Sequence, residues 1–166
     1  GMSISFHHHL RNGDHIVNMV LDAVAAKGIK NLTIVPTALF GIHRHLVKHI
    51  DSGVITGIYG SVNGPIGRKV SEGAFDRPVI LRSHGGRARA MASGDLKVDV
   101  AFLAAPASDD YGNMNGTGGP SACGALGYAM TDADDAEKVV VLTDNLCPYL
   151  LAPASITQDK VDYVLQ

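Results

Sequence analysis

Apolar residues recur along the chain in two patterns, one typical of strands and one typical of helices. Short apolar runs rich in β-branched residues predict strands at 3–7, 32–35, 54–59, 79–81, 98–104 and 139–143. Apolar residues at helical spacing predict helices at 16–27, 42–50, 65–71 and 87–93. Because strands and helices alternate, we predict an α/β fold in which helices flank a mostly parallel sheet.

The run at 98–104 is almost wholly apolar, which predicts a central strand buried on both faces. Small and polar residues follow it directly, from Pro106 to Gly116. Open α/β sheets bind ligands just beyond the carboxyl ends of their strands, so we expect a binding site there. Asn113 and Asn115 are candidates, because an amide both donates and accepts hydrogen bonds. The alternative is that both amides bond to their own turn.

Composition limits the classes of protein to consider. With 166 residues, 46% hydrophobic and 18% charged, the chain is long enough for a single α/β domain with its own core. A net charge of −2 disfavours nucleic acid or an anionic membrane as partner, since both need a clustered basic excess. The sequence has no apolar run of 18 residues and no signal-peptide pattern, so we expect a cytoplasmic protein.

A cationic segment lies between Asp76 and Asp95, where the chain has no acidic residue. Two glycines in this segment allow a ligand to approach the backbone closely, at what we predict to be a helix N-terminus. An arginine beside them offers a bidentate grip on a carboxylate. We therefore predict an anion site, the alternative being an ordinary turn with solvated arginines. Its candidate residues are His84, Gly85, Gly86 and Arg87.

Two further loops supply candidate binding residues. His8, His9 and Arg11 follow the first predicted strand in a donor-rich loop, for which a remnant of an affinity tag is the alternative. Asn63 and Gly64 precede Pro65 at the predicted start of a helix.

Other reactive residue types are assigned structural roles. His45 and His49 share a helical face as zinc ligands do, but no third ligand is evident, so we predict no metal site. Glu72 is expected to be a solvated residue at a helix end. Cys123 and Cys147 lack the CxxC spacing and are expected to be reduced thiols, Cys123 being packed rather than nucleophilic.

Four blocks are long enough to carry a specific resemblance. They read ISFHHHLRNGD at 4–14, SHGGRARA at 83–90, DVAFLAAPASDDYGNMNG at 99–116 and GPSACGALGYAMTDADDAEKVVVLTDN at 119–145. Together they resemble the α subunits of citrate lyase, the citrate–acyl-carrier-protein transferases, and residues 99–113 also resemble the wider family I coenzyme A transferases. The resemblance implies a fold of the coenzyme A-transferase and ribose-phosphate-isomerase type. It also implies a longer subunit with two such domains, of which this chain is the first.

The resemblance implies an activity as well. In that family, citrate replaces acetate in a thioester of phosphoribosyl-dephospho-coenzyme A carried by an acyl carrier protein (the γ subunit), and a β subunit then cleaves the citryl thioester. Free coenzyme A is the related substrate, and the subunits form an oligomer. The attacking glutamate lies in the second half of the fold, so we assign no catalytic residue here and expect this chain to be inactive alone.

One segment departs from the coenzyme A transferases. FHHHLRNGD at 6–14 stands where many of them have a glycine-rich turn that stabilises an oxyanion, which implies that histidine or arginine side chains share that task. The cations His8, His9, Arg11, His84 and Arg87 are expected to hold the carboxylates of citrate. Two alternatives stay open: a non-catalytic ligand-binding or assembly domain, and a sugar-phosphate isomerase.

Overall fold

A computed structural model describes residues 1–7 and 13–166 of the chain. Its main layer is a seven-stranded sheet in which every neighbouring pair of strands is parallel. The strands of this sheet, in chain order, are β1 (Ser3–His7), β2 (Leu32–Pro36), β3 (Ile55–Gly60), β4 (Ile80–Leu81), β5 (Val100–Ala105), β8 (Lys138–Thr143) and β10 (Tyr163–Leu165). Their spatial order is β10-β8-β5-β1-β2-β3-β4, so β5 lies inside the sheet as predicted.

Three short strands form a second sheet beyond the carboxyl ends of β5 and β8. They are β6 (Ala107–Asp109), β7 (Met114–Asn115) and β9 (Leu146–Cys147), in the order β7-β6-β9. Gly119 allows the chain to pass close to this sheet, since its φ is +77° and a Cβ there would lie 2.5 Å from the carbonyl oxygen of Pro106.

Helices cover both faces of the main sheet. They are α1 (Ile16–Ala26), α2 (Val47–Asp51), α3 (Gly64–Ser71), α4 (His84–Ala92) and α5 (Tyr128–Asp135), with 3-10 helices at Gly41–Leu46 and Gln158–Lys160. One apolar cluster joins α1, α2 and α3 to one face of the sheet, and a second joins α4 and α5 to the other. Neighbouring residues of β2 show the division, because Ile34 belongs to the first cluster and Val35 to the second.

The predicted fold class and parallel sheet are confirmed, and several local expectations need correction. The helix predicted at 42–50 divides into a 3-10 helix and the short α2. The helix predicted at 87–93 begins earlier, at His84, because Ser83 caps it by accepting the Gly86 N–H. α5 and the strands β6, β7, β9 and β10 were not predicted from the sequence.

Candidate functional site

The candidate site lies at the carboxyl edge, the edge of the main sheet where its parallel strands end. Asn63 and Gly64 follow β3 and begin α3, and His84 follows β4 and begins α4. His8, His9 and Arg11 follow β1 in the sequence but lie outside the described residues. The sheet thus brings the N-termini of α3 and α4 to the edge at which open α/β folds bind ligands.

The first turn of α4 is open to solvent. His84 and Gly85 are exposed, and a Cβ at Gly85 would meet no atom within 4 Å. The His84 ring lies 5.2 Å from the ring of Tyr128, the first residue of α5. Arg82, just before the helix, donates from Nε to the hydroxyl of Tyr59 at 2.9 Å. The N-terminus of α4 therefore presents backbone donors and an imidazole, which suit a carboxylate or phosphate.

Arg87 departs from the expected open position, since only 1% of its surface is exposed. Its Nη1 lies 2.9 Å from Oδ1 of Asp132, and its Nη2 donates to Oδ2 of Asp132 at 3.1 Å and to the carbonyl oxygen of Val35 at 2.9 Å. Its Nε has no hydrogen-bond partner among residues 1–7 and 13–166. The carboxylate that Arg87 grips in this structure thus belongs to the chain itself.

The pair of Arg87 and Asp132 ties three elements together: α4, α5 and the carboxyl end of β2. Burial raises the pKa of Asp132 above its ordinary value, and the charge and hydrogen bonding of Arg87 oppose that change. The short side chain of Asp132 reaches Arg87 only because α5 packs against α4, which no spacing in the sequence reveals. Arg87 therefore holds the first turn of α4 in place at the carboxyl edge.

The polar stretch after β5 also folds inward, where we expected side chains presented to a ligand. Asn113 Nδ2 donates to Asp109 and to Gln158, and its Oδ1 accepts the Gln158 N–H at 3.0 Å. Asn115 Nδ2 donates to Pro153, and its Oδ1 accepts N–H groups of Thr117 and Gly118. Both residues are buried, and each bonds both to its own turn and to a distant segment, at Gln158 or Pro153, so bonding to their own turn describes only part of their contacts.

Asp109 is the centre of that buried turn. Its carboxylate accepts four hydrogen bonds, from the N–H groups of Tyr111, Asn113 and Leu151 and from the Asn113 amide, all at 2.9–3.0 Å. Burial alone would raise the pKa of Asp109, but these donors outweigh it and lower the pKa. The ionised carboxylate thus organises the loop between β6 and β7.

Asn63 and Gly64 are exposed beside a cationic groove of about 540 Å³ between the 3-10 helix and α3. Three of the residues that line it, Arg44, Arg68 and Lys69, are basic. Lys69 is paired with Asp51 at 2.6 Å and Glu72 adds a carboxylate to the lining, so the two guanidinium groups supply the main positive charge of the groove. The sequence did not predict this groove, because Arg44 lies on a different element from Arg68.

The structure also tests the expectations for Glu72, for the two cysteines and for membrane-spanning helices. Glu72 is an exposed C-cap residue of α3, as predicted. Both cysteines are free thiols, but Cys123 is exposed, so its predicted packing is wrong. Among the described residues, no helix is long and apolar enough to span a membrane.

The fold has known relatives among enzymes of acyl transfer. A glutaconate coenzyme A-transferase from Acidaminococcus fermentans is similar with a TM-score of 0.61 and 14% identity, over 87% of this chain and 65% of that chain. The architecture is therefore that of the coenzyme A transferases. All of residues 1–166 match the family described as citrate lyase, alpha subunit, and the chain belongs to that family.

Individual relatives are much more similar. The citrate lyase alpha chain of Escherichia coli K12 is 50% identical over 167 residues, covering 100% of this chain and 33% of the relative. A protein from Streptococcus mutans, described as the alpha subunit of citrate lyase and solved in complex with citrate, is 53% identical with a TM-score of 0.95. That likeness covers 99% of this chain and 32% of the other. The chain thus spans about a third of the length of these relatives.

Proposed function

We propose that this chain is part of a citrate–acyl-carrier-protein transferase, the component of citrate lyase that exchanges citrate for acetate on a carrier-bound thioester. The net exchange turns citrate and the acetyl thioester into acetate and the citryl thioester. The observation that carries the proposal is the membership of the whole chain in the citrate lyase alpha family, together with the 53% identity to a relative solved with citrate. The likeness to coenzyme A transferases supports the same class of reaction.

The proposed task of this chain is to bind citrate at the carboxyl edge. Citrate carries three carboxylates, and the first turn of α4 offers the backbone N–H groups that precede Gly86, whose own N–H donates to Ser83, and the positive end of a helix dipole. His84 and Gly85 are exposed there, while Arg87 acts as a positioning residue through Asp132 and Val35. We propose that His8, His9 and Arg11 complete this binding surface from the loop after β1.

The cationic groove at α3 is proposed to hold the thioester carrier. Phosphoribosyl-dephospho-coenzyme A and coenzyme A both bear phosphates, and guanidinium groups bind phosphate with paired donors. Arg44 and Arg68 line the groove, and Gly64 lies at the helix N-terminus that opens into it. Asn113 and Asn115 contribute by fixing the loops beyond β5, since their amides are bonded within the chain.

The remaining two thirds of the subunit are proposed to supply the second domain and the nucleophile. A glutamate there would attack the acyl thioester, forming a mixed anhydride and releasing the carrier thiolate. We propose that the subunit works in an oligomer with the lyase β subunit and the acyl carrier protein. This chain alone is then expected to bind citrate without turning it over.

His84→Ala in the full-length subunit tests the citrate site. The measurement is citrate-dependent release of acetate from the acetylated carrier protein, with citrate and carrier varied separately. We expect KM for citrate to rise about tenfold, the loss of one charge-assisted contact, and KM for the carrier to stay within about twofold.

Arg89→Ala is the matched control for this experiment, because Arg89 is exposed on the same helix more than a turn away from its start. It should leave both KM values unchanged. Unchanged citrate kinetics in His84→Ala would remove the N-terminus of α4 from the citrate site. A titration of the full-length subunit with ribose phosphate in place of citrate distinguishes the isomerase alternative, which requires the sugar phosphate to bind.

A further inference from the structure

Two histidines and an aspartate converge on the face of the sheet that carries α1 and α2. His45 Nε2 lies 2.7 Å from Oδ2 of Asp22, and His49 Nε2 lies 2.7 Å from Oδ1 of the same carboxylate. The aspartate comes from the middle of α1, and the histidines come from the 3-10 helix and α2. This convergence supplies the third ligand that the sequence alone did not reveal.

The geometry suits one small cation. One ring nitrogen of each histidine and one Asp22 oxygen all lie within 4.8 Å of one another. Ligand atoms around a tetrahedral Zn²⁺ are separated by about 3.3 Å, given metal–ligand bonds of about 2.0–2.1 Å. The ring centroids of His45 and His49 are 5.7 Å apart at 74°, so the rings meet edge to face and do not stack. To admit the ion, the two His–Asp22 distances have to open from 2.7 Å by about 0.6 Å.

The chemistry of the donors selects the class of ion. Two imidazole nitrogens with one carboxylate oxygen are typical ligands of Zn²⁺ and of neighbouring transition metals, whereas Mg²⁺ and Ca²⁺ prefer oxygen ligands alone. His49 is only 4% exposed, which fixes its ring, while the Asp22 and His45 side chains are 43% and 40% exposed. Solvent thus has access for a water molecule as fourth ligand.

Lys48 competes with a metal ion for the same carboxylate. Its Nζ lies 2.9 Å from Oδ1 of Asp22, the oxygen that His49 also contacts. The Lys48 side chain is 54% exposed, so it can swing into solvent without disturbing the core. A bound cation and the Lys48 ammonium repel each other, so removal of this ammonium should strengthen metal binding.

We propose that Asp22, His45 and His49 form a binding site for a divalent transition-metal ion, with Zn²⁺ the best match to the donors. The ion ties α1 to α2 across the apolar cluster beneath them. The site shares no residue with the candidate site at the carboxyl edge. Its role is to stabilise the fold rather than to act in acyl transfer.

Titration of the full-length subunit with Co²⁺ and Zn²⁺ tests the site. Co²⁺ bound by three protein ligands and a water should give visible absorption bands typical of four-coordinate cobalt, and Zn²⁺ should displace it. Zn²⁺ should also raise the melting temperature in proportion to the logarithm of its concentration. Absence of these bands and of any melting shift at millimolar metal would overturn the proposal.

Three variants separate this site from the run of histidines at 7–9, which is a second source of imidazole ligands. His45→Ala and Asp22→Asn should each weaken Co²⁺ binding at least tenfold and abolish the four-coordinate bands. Lys48→Met should strengthen binding several-fold. Bands and affinity that persist in both ligand variants would place the metal elsewhere and refute the site, as would weaker binding in Lys48→Met.

Discussion

The two faces of the main sheet each carry an aspartate that ties helices together, but in opposite environments. On one face Asp132 and Arg87 are wholly buried, with Asp132 0% and Arg87 1% exposed. On the other face Asp22 is 43% exposed and is shared by His45, Lys48 and His49. The same residue type therefore meets one guanidinium in the core, and one ammonium with two imidazole rings near the surface.

The difference teaches what a charged contact does for a fold. Buried charges cannot regain water when a partner is lost, so each partner depends strongly on the other. Exposed charges are solvated and screened by salt, so their contacts are individually weak and their positions adjustable. The buried pair is accordingly suited to fixing α4 at the candidate citrate site, while the exposed cluster retains the freedom to accept an ion.

Asp132→Ala is expected to have the largest effect. It leaves the Arg87 guanidinium in the core without its carboxylate, which typically costs about 3–5 kcal/mol of unfolding free energy. Urea denaturation of the full-length subunit, followed by circular dichroism, measures this loss. Asp135→Ala is the control, because Asp135 is exposed on the same helix. A cost below about 1 kcal/mol would show that the pair does not hold the fold.

Replacement of both partners sharpens this result. Arg87→Met with Asp132→Leu removes both charges and fills the space, so most of the lost stability should return. The carbonyl oxygen of Val35 still loses its donor, which keeps recovery incomplete. If Arg87 acts only by positioning α4, this stable variant should retain most of its citrate exchange. A stable variant without citrate exchange would instead assign Arg87 a direct contact with citrate.

Asp109→Asn tests whether a buried carboxylate contributes to stability when no cation is paired with it. The carboxylate of Asp109 is bound by N–H groups instead. An asparagine offers one acceptor atom in place of two, and we expect a loss of about 2 kcal/mol. Since the folded pKa of Asp109 is lowered, its contribution is present above pH of about 4 and is lost as pH falls through the folded pKa.

Urea denaturation between pH 3 and 7 measures that contribution. The wild type should lose stability in acid more steeply than Asp109→Asn, while Asp110→Asn, an exposed neighbour, should follow the wild type. Parallel acid profiles for the wild type and Asp109→Asn would mean that the folded turn does not lower the pKa of Asp109.

The sequence predicted the fold well where the signal is local. Apolar runs revealed most strands of the parallel sheet, and the two glycines after His84 revealed a helix N-terminus. It failed where a partner comes from a distant element. The sequence predicts a solvent-facing Arg87, because its partner Asp132 lies 45 positions away. It shows no third ligand for His45 and His49, because Asp22 reaches them only through the packing of α1. The sequence also did not predict the short strands of the second sheet, because their polar residues find hydrogen-bond partners only in the folded chain.

Asp22→Asn is expected to have the smallest effect on stability, below about 1 kcal/mol, because Asp22 and two of its three partners, His45 and Lys48, are solvated. Hydrogen bonding from Lys48, then from His45 and His49, lowers the pKa of Asp22, so its contribution to stability persists above pH of about 4 and disappears in stronger acid.

Sodium chloride at about 1 M, where the Debye length is about 3 Å, should remove most of the stability difference between Asp22→Asn and the wild type. The same salt should leave the cost of Asp132→Ala nearly unchanged, since no ion reaches that pair. Urea midpoints for both variants at low and high salt, in metal-free buffer, measure the contrast. Equal salt sensitivity of the two variants would mean that exposure does not distinguish the faces of this sheet.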